Sequence, residues 1–285
     1  MSIAIENVSF TYAAGAPCAV EALHQVSLTV HNGEFVGLMG HTGSGKTTLI
    51  QLIAGLEAPS AGRILLDGAD INDKRYDRAI LRKTVGIVFQ YPEYQLFETS
   101  VEKDVAFGLR HSGLSRSEVA ARVHWALSEC GFDFEKIRTQ SPLALSGGEK
   151  RRVAIAGVLA AKPETLIFDE PIAGLDPLGR QAFIELVMKL NREGVTVLMI
   201  SHNADALCAC ARRIVVLERG RIVADGETRA VFSDVRRMDE LRLGVSVPRR
   251  AADALLKRGV PIRQDVVRYD ELLSALMETF GEGGA

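Results

Sequence analysis

An α/β fold built on a mainly parallel core sheet is the prediction for this chain, and three features of the sequence carry it. Short apolar runs rich in Val, Ile and Leu alternate with longer helical stretches, the pattern of a sheet covered on both faces. A glycine-rich loop joins one of these runs to a helix near residue 40. The first thirty residues instead alternate, so an antiparallel β subdomain is expected ahead of the parallel core.

Taken in order, Ile3–Tyr12 and residues 27–30 predict the antiparallel start, with a long loop at 13–23 between them and residues 63–67 as a further strand of the group. Residues 34–39, 85–89, 165–168, 195–200 and 214–217 are apolar runs and predict the parallel core. Between about 98 and 144 the strand signal gives way to helical patterns such as 115–130, with Ser115 in the N-cap position. A helical insertion over about 98–160 is therefore expected. Beyond Asp234 the character changes again. Pro248 opens a short helix that Gly259 closes, and Asp270 is expected to cap another that carries Leu272, Leu273, Leu276, Met277 and Phe280 on one stripe. Residues 235–285 hold nine basic and eight acidic side chains, a balance that suits a small packed appendage better than a nucleic-acid arm. The expected division is a main domain over 1–233 and a C-terminal, α-containing appendage over 234–285.

Composition bounds the function. A chain of 285 residues, 47% hydrophobic and 25% charged, has the material for a globular core, and wholesale disorder is excluded. Its formal charge of −2 provides no global attraction to nucleic acid or anionic lipid. No run of about 18 apolar residues is present, and the start has no basic segment leading into an apolar one, so neither a membrane span nor a secretory signal is expected. Cys18, Cys130, Cys208 and Cys210 form no C-x-x-C pair, which favours reduced, buried thiols in a cytoplasmic protein.

Residues 40–47 read Gly40-His41-Thr42-Gly43-Ser44-Gly45-Lys46-Thr47, a full match to G-x-x-x-x-G-K-[ST], the loop that cradles nucleotide phosphates. Its glycines let successive backbone N–H groups turn inward and keep Cβ atoms away from the anion. Lys46 would reach the β- and γ-phosphates and the Thr47 hydroxyl would ligate Mg²⁺. Thr47 and Thr48 open the following helix, whose positive end faces the phosphates. Such a loop needs acidic partners at the end of a buried strand. Leu166-Ile167-Phe168-Asp169-Glu170 supplies two, Asp169 to hold Mg²⁺ and Glu170 to polarise the attacking water. No N-K-x-D run for guanine reading is present, so ATP is the expected nucleotide.

Residues 145–152, Leu145-Ser146-Gly147-Gly148-Glu149-Lys150-Arg151-Arg152, resemble the L-S-G-G-Q signature of ATP-binding cassette (ABC) ATPases, with Glu149 where that family usually has Gln. The resemblance implies a P-loop NTPase of ABC type and a second anion cradle, made by Ser146, Gly147 and Gly148 at a helix start. It also implies that the two cradles lie on opposite edges of one face, so that two chains sandwich two ATP molecules head to tail. Further segments match in order over about residues 1–233. Phe10-Thr11-Tyr12 resembles the aromatic loop, with Tyr12 stacked on adenine. Gln90, after Gly86-Ile87-Val88-Phe89, resembles the glutamine that senses Mg²⁺ and opens the helical insertion, and is counted with the metal ligands and the catalytic residues. Ala173-Gly174-Leu175-Asp176 resembles the D-loop, which puts Asp176 at the nucleotide interface, and Ile200-Ser201-His202 resembles the switch that brings His202 to the γ-phosphate. Tyr12 alone fits a half-buried strand residue and His202 alone a structural one; agreement in order and spacing carries the reading.

A narrower resemblance is carried by Val88-Phe89-Gln90-Tyr91-Pro92-Glu93-Tyr94-Gln95-Leu96-Phe97, by Val101-Glu102-Lys103-Asp104-Val105-Ala106-Phe107-Gly108 and by Arg151-Arg152-Val153-Ala154-Ile155-Ala156-Gly157. These are similar to the ATPases of energy-coupling factor transporters, and the loop at 13–23 and the appendage resemble the second of that group's paired ATPases. Ile172, where relatives mostly have Thr, and Glu149 depart from the pattern. The resemblance implies a peripheral subunit on the cytoplasmic face of the cell membrane, paired with a sister ATPase, with the appendage as a dimer contact. The pair would grip a transmembrane coupling protein, which works with a membrane protein that captures a vitamin or transition-metal ion. An apolar run through Tyr91, Pro92, Tyr94, Leu96 and Phe97 is the expected docking segment, and the resemblance implies that arginines of the coupling protein pair with Glu93 or Glu98. The alternatives are a conventional ABC transporter motor and a soluble ABC ATPase acting on ribosomes or DNA. One cassette and no sustained heptads between Gln90 and Ser146 argue against the latter.

Overall fold

The computed structural model describes residues 2–281. Two sheets share the molecule. The first is antiparallel, in the order β2-β1-β4-β5, from β1 (Ile3–Tyr12), β2 (Val20–Val30), β4 (Ala61–Leu66) and β5 (Ala69–Asp70). Alternation along β1 puts Ile3, Ile5, Val8 and Phe10 into the core. The predicted loop at 13–23 is shorter than expected, because Val20 pairs with Tyr12 and Glu21 with Thr11. The outer half of β2 escaped notice because its solvated residues do not alternate.

The second sheet runs β10-β9-β3-β8-β7-β6. It contains β3 (Phe35–Met39), β6 (Val85–Val88), β7 (Thr165–Asp169), β8 (Thr196–Ile200), β9 (Arg213–Glu218) and β10 (Arg221–Glu227), of which only the edge pair β9/β10 is antiparallel. Every residue of β3, β7 and β8 is buried, as a sheet covered on both faces requires. On one face lie the antiparallel sheet and α1 (Lys46–Ile53), forming a core around Leu38, Leu49, Leu52, Ile167 and Ile200, with α2 (Arg78–Thr84) at its margin through Leu81. On the other lie α7 (Pro177–Arg192), α8 (Ala204–Cys210) and the helical insertion. Phe168 and Phe183 meet edge to face there, ring centroids 5.2 Å apart.

The insertion comprises α3 (Val101–Phe107), α4 (Arg116–Glu129), α5 (Phe134–Ile137) and α6 (Gly147–Leu159). Ser115 caps α4 as the sequence predicts, and Glu118 closes a capping box with it. The chain ends in α9 (Thr228–Ser233), α10 (Val235–Glu240), α11 (Val247–Lys257) and α12 (Tyr269–Phe280), the last two around a small core of Ala252, Ile262, Val266 and Ala275. Asp270 does not cap α12. The Glu271 carboxylate takes the Val267 and Arg268 N–H groups, the helix starts at Tyr269, and Asp270 falls in its first turn. The predicted stripe divides: Leu272 and Leu276 pack inward, while Leu273, Met277 and Phe280 stay exposed beside Tyr269. Cys130, Cys208 and Cys210 are buried free thiols, and Cys18 is exposed, contrary to the expectation for all four. No described helix is long and apolar enough to cross a membrane.

Candidate nucleotide site

Parallel strands end on the same edge of a sheet, and that fact assembles the site. The registers Leu38↔Ile200, Asp169↔Ile200 and Val88↔Phe168 bring the loops after β3, β8, β7 and β6 side by side. Those loops carry residues 40–45, Ser201 with His202, Glu170 and Gln90.

Gly40 (φ 153°) and Gly45 (φ 103°) are the positions where the phosphate loop demands glycine: a Cβ on Gly40 would strike Ser44 Oγ at 2.5 Å, and one on Gly45 the Ala22 carbonyl at 2.7 Å. Gly43, also left-handed, faces open space, and His41 Nδ1 sits 2.7 Å from the Thr42 carbonyl. Gly45 leaves the first turn of α1 without a side-chain cap, so its N–H groups stay available to an anion. Lys46 is buried, its Nζ donating to the carbonyls of Gly40 at 2.5 Å and His41 at 2.9 Å, with Ser44 Oγ at 3.5 Å. Burial pulls its pKa below the usual lysine value, against the charges of Glu170 and Asp169.

Thr47 Oγ1 donates to Asp169 Oδ2 at 3.3 Å, putting the two residues expected to ligate Mg²⁺ in contact. Burial raises the Asp169 carboxyl above its ordinary pKa, opposed by that hydrogen bond and by Lys46. Glu170 follows in the left-handed region, φ 48°, a conformation that costs a non-glycine residue and that turns its side chain off the strand. Burial, then the neighbouring Asp169 charge, pushes its pKa up to about 7. Its Oε1 is buried without a well-aligned hydrogen bond, 3.3 Å from His202 Nε2, and Ser201 Oγ lies 3.5 Å from Oε2. Burial, then Lys46 and His41, lowers the His202 pKa below its ordinary value. The orphaned carboxylate oxygen and the bare α1 turn fit a phosphate group with its metal ion.

Tyr12 packs edge-on against Phe10 and its hydroxyl lies 3.0 Å from Thr48 Oγ1, beside α1. Gln90 is exposed at the end of β6. The signature residues lie apart from this group, at the start of α6. Ser146 is the N-cap, and Gly147 and Gly148 would carry a Cβ into open space. Asp176 caps α7, taking the Gly179 N–H at 2.7 Å. A cavity of about 610 Å³ opens between these helix starts, lined by Ser146, Gly148, Glu149, Gly174 and Asp176.

Three partnerships were missed in the sequence. Ser146 Oγ and N donate to Glu149 Oε2 at 2.6 and 2.9 Å, so Glu149 closes a capping box at the cradle; the Ser-x-x-Glu spacing was the available signal. Glu93 and Glu98, expected to offer one or other carboxylate to arginines of the coupling protein, are paired within the chain, with Arg151 and Arg110. The apolar run around them also splits. Pro92 and Leu96 face inward, and Tyr91, Tyr94 (85% exposed) and Phe97 (62%) face out, Phe97 meeting Phe107 edge to face.

The ABC transporter family model matches residues 23–173. The chain belongs to the ABC transporter family. This cassette is 43% identical over 281 residues, 98% of both chains, to the energy-coupling factor transporter ATP-binding protein EcfA2 of Clostridium tetani. It is 46% identical to the protein of that name in Caldanaerobacter subterraneus, over 95% of each. Among solved structures it is similar to cbiO1 from Clostridium perfringens, described as part of the ABC transporter complex cbiONQ, at 35% identity with a TM-score of 0.74 over 90% of this cassette and 98% of that chain. A dimeric ATP-binding cassette in a post-hydrolysis state, bound to ADP and phosphate, superposes with a TM-score of 0.70 at 30% identity, over 79% of this cassette and 98% of that one.

Proposed function

We propose that this cassette is the ATP-binding and hydrolysing subunit of an energy-coupling factor importer, peripheral to the cytoplasmic face of the membrane. The observation that supports it most is the meeting of Lys46, the Thr47–Asp169 pair and the Glu170–His202 pair on one sheet edge, in a chain similar along its length to the ATP-binding subunits of such transporters. Lys46 exchanges its two carbonyl partners for the β- and γ-phosphates. Thr47, Asp169 and Gln90 would hold Mg²⁺, which when bound would supply charge neutralisation at the phosphates. Glu170 accepts the proton of the attacking water, and His202 donates to the γ-phosphate. Tyr12 stacks on adenine. Ser146, Gly147 and Gly148, with Asp176 beside them, meet the nucleotide of a sister ATPase.

The exposed aromatics Tyr91, Tyr94 and Phe97 form the docking surface for a transmembrane coupling protein, which works with a substrate-capture membrane protein for a vitamin or transition-metal ion. The appendage, residues 234–285, contributes a dimer contact through the exposed face of Tyr269, Leu273, Met277 and Phe280. The test is isolation of the tagged chain from the membranes of its own cells. A second cassette and a multispanning membrane protein are expected in the complex, with ATP hydrolysis; recovery of the chain alone from membranes and cytosol would overturn the reading.

A further inference from the structure

Arg151 lies in α6 but is committed to other segments. Its side chain is 6% exposed, and Nε and Nη2 donate to Oε2 and Oε1 of Glu93, both at 3.1 Å, in a bidentate pair. The third nitrogen, Nη1, donates to the carbonyl of Ala173. The guanidinium also lies 5.9 Å from the ring centroid of Tyr91. Glu93, at 17% exposure, sits in the 3₁₀ turn Pro92–Gln95, between the exposed Tyr91 and Tyr94. Ala173 belongs to the turn after β7, and its N–H donates back to the Glu170 carbonyl at 3.2 Å. One guanidinium thus joins the aromatic segment, the signature helix and the turn that runs from Glu170 to Asp176.

A buried ion pair is a weak source of stability, since desolvation offsets much of the attraction. What a planar five-donor fork supplies is fixed geometry, holding a carboxylate and a carbonyl at a set angle. A lysine keeps the charge but offers a single nitrogen, so it loses the planar bidentate hold on the carboxylate.

We propose that Arg151, through Glu93, is a positioning residue that ties the membrane-docking segment to the turn carrying Glu170 and Asp176. Displacement of the docking segment by its partner is thereby passed to the catalytic turn. The proposal rests on the transporter reading above.

The test uses the complex purified from native membranes through a tag on this chain, comparing wild type, Arg151→Lys, Glu93→Gln and the double variant. In the complex, kcat is expected to fall about tenfold or more in each single variant with KM within about twofold, and the double variant to be no worse than the singles within about twofold. Mg-ATP affinity of the isolated full chain is expected to match wild type. Wild-type kcat in both single variants would overturn the proposal, as would penalties that multiply in the double, or a loss confined to KM and nucleotide affinity. If Arg151→Lys does not fold, Glu93→Gln decides by the same split between kcat and KM. Failure of the transporter reading is distinguishable, because the wild-type chain itself would then lack ATP hydrolysis and membrane partners.

Discussion

Glu170 holds a raised pKa, about 7 against 4.5, in a buried and strained position, and that carries a consequence for stability. The folded state keeps this proton to a higher pH than the unfolded chain does. Stability contributed by the group is therefore present at low pH and lost as pH rises from about 4.5 to about 7. In the absence of nucleotide and Mg²⁺, Glu170→Gln should melt a few degrees above wild type at pH 8, on the order of 2 kcal/mol, with the gap closing toward pH 5. Thermal melts across that range check it; a constant gap would contradict the assignment. Glu149 presents the opposite case. Its hydrogen bonds from the Ser146 side chain and backbone lower its pKa, so an ionised carboxylate stands where an approaching phosphate would meet the cradle. Glutamine keeps the capping box and removes the charge. Glu149→Gln should therefore strengthen ATP-driven association by about threefold to tenfold, read from the ATP concentration at half-maximal association, whereas an unchanged value would show the charge to be screened.

At the scale of elements, the parallel strands were legible to within one or two residues because complete burial leaves uninterrupted apolar runs. The phosphate loop was legible for a related reason, since its glycines are demanded by local backbone geometry. The outer half of β2 and the start of α12 were not, because the first is solvated and the second is set by a carboxylate reaching back to Val267 and Arg268. The Glu93–Arg151 pair spans 58 residues and leaves no local spacing to read. Knowing that pair changes the expectation for the docking segment: with Glu93 and Glu98 already engaged, its outward face is aromatic rather than acidic. Tyr94→Ala with Phe97→Ala should release the membrane partner, or uncouple transport, while Mg-ATP affinity of the isolated chain stays within about twofold of wild type. Copurification from membranes at the wild-type level, with transport intact, would contradict the docking role.

For the whole molecule, the proposed two-chain sandwich rests on the phosphate loop and the signature opening different helices. The phosphate loop opens α1 at the carboxyl edge of β3, and the signature opens α6 in the helical insertion. The family resemblance indicated two chains per nucleotide pair, and the dimeric, ADP- and phosphate-bound cassette similar to this one is consistent with that arrangement. Sedimentation of the Glu170→Gln chain together with the sister ATPase should show ATP-dependent association that weakens when Gly148→Asp is added; an association state indifferent to ATP in both would count against the sandwich. In the proposed mechanism one sheet edge both binds ATP and splits it, with the two tasks divided between Lys46 and Glu170. The most direct measurement is the ATP affinity and steady-state hydrolysis of Lys46→Ala and Glu170→Gln side by side. Loss of binding in the first, and near-normal binding with at least about a hundredfold loss of turnover in the second, is the predicted result. Normal turnover in Glu170→Gln, or undiminished ATP binding in Lys46→Ala, would contradict it.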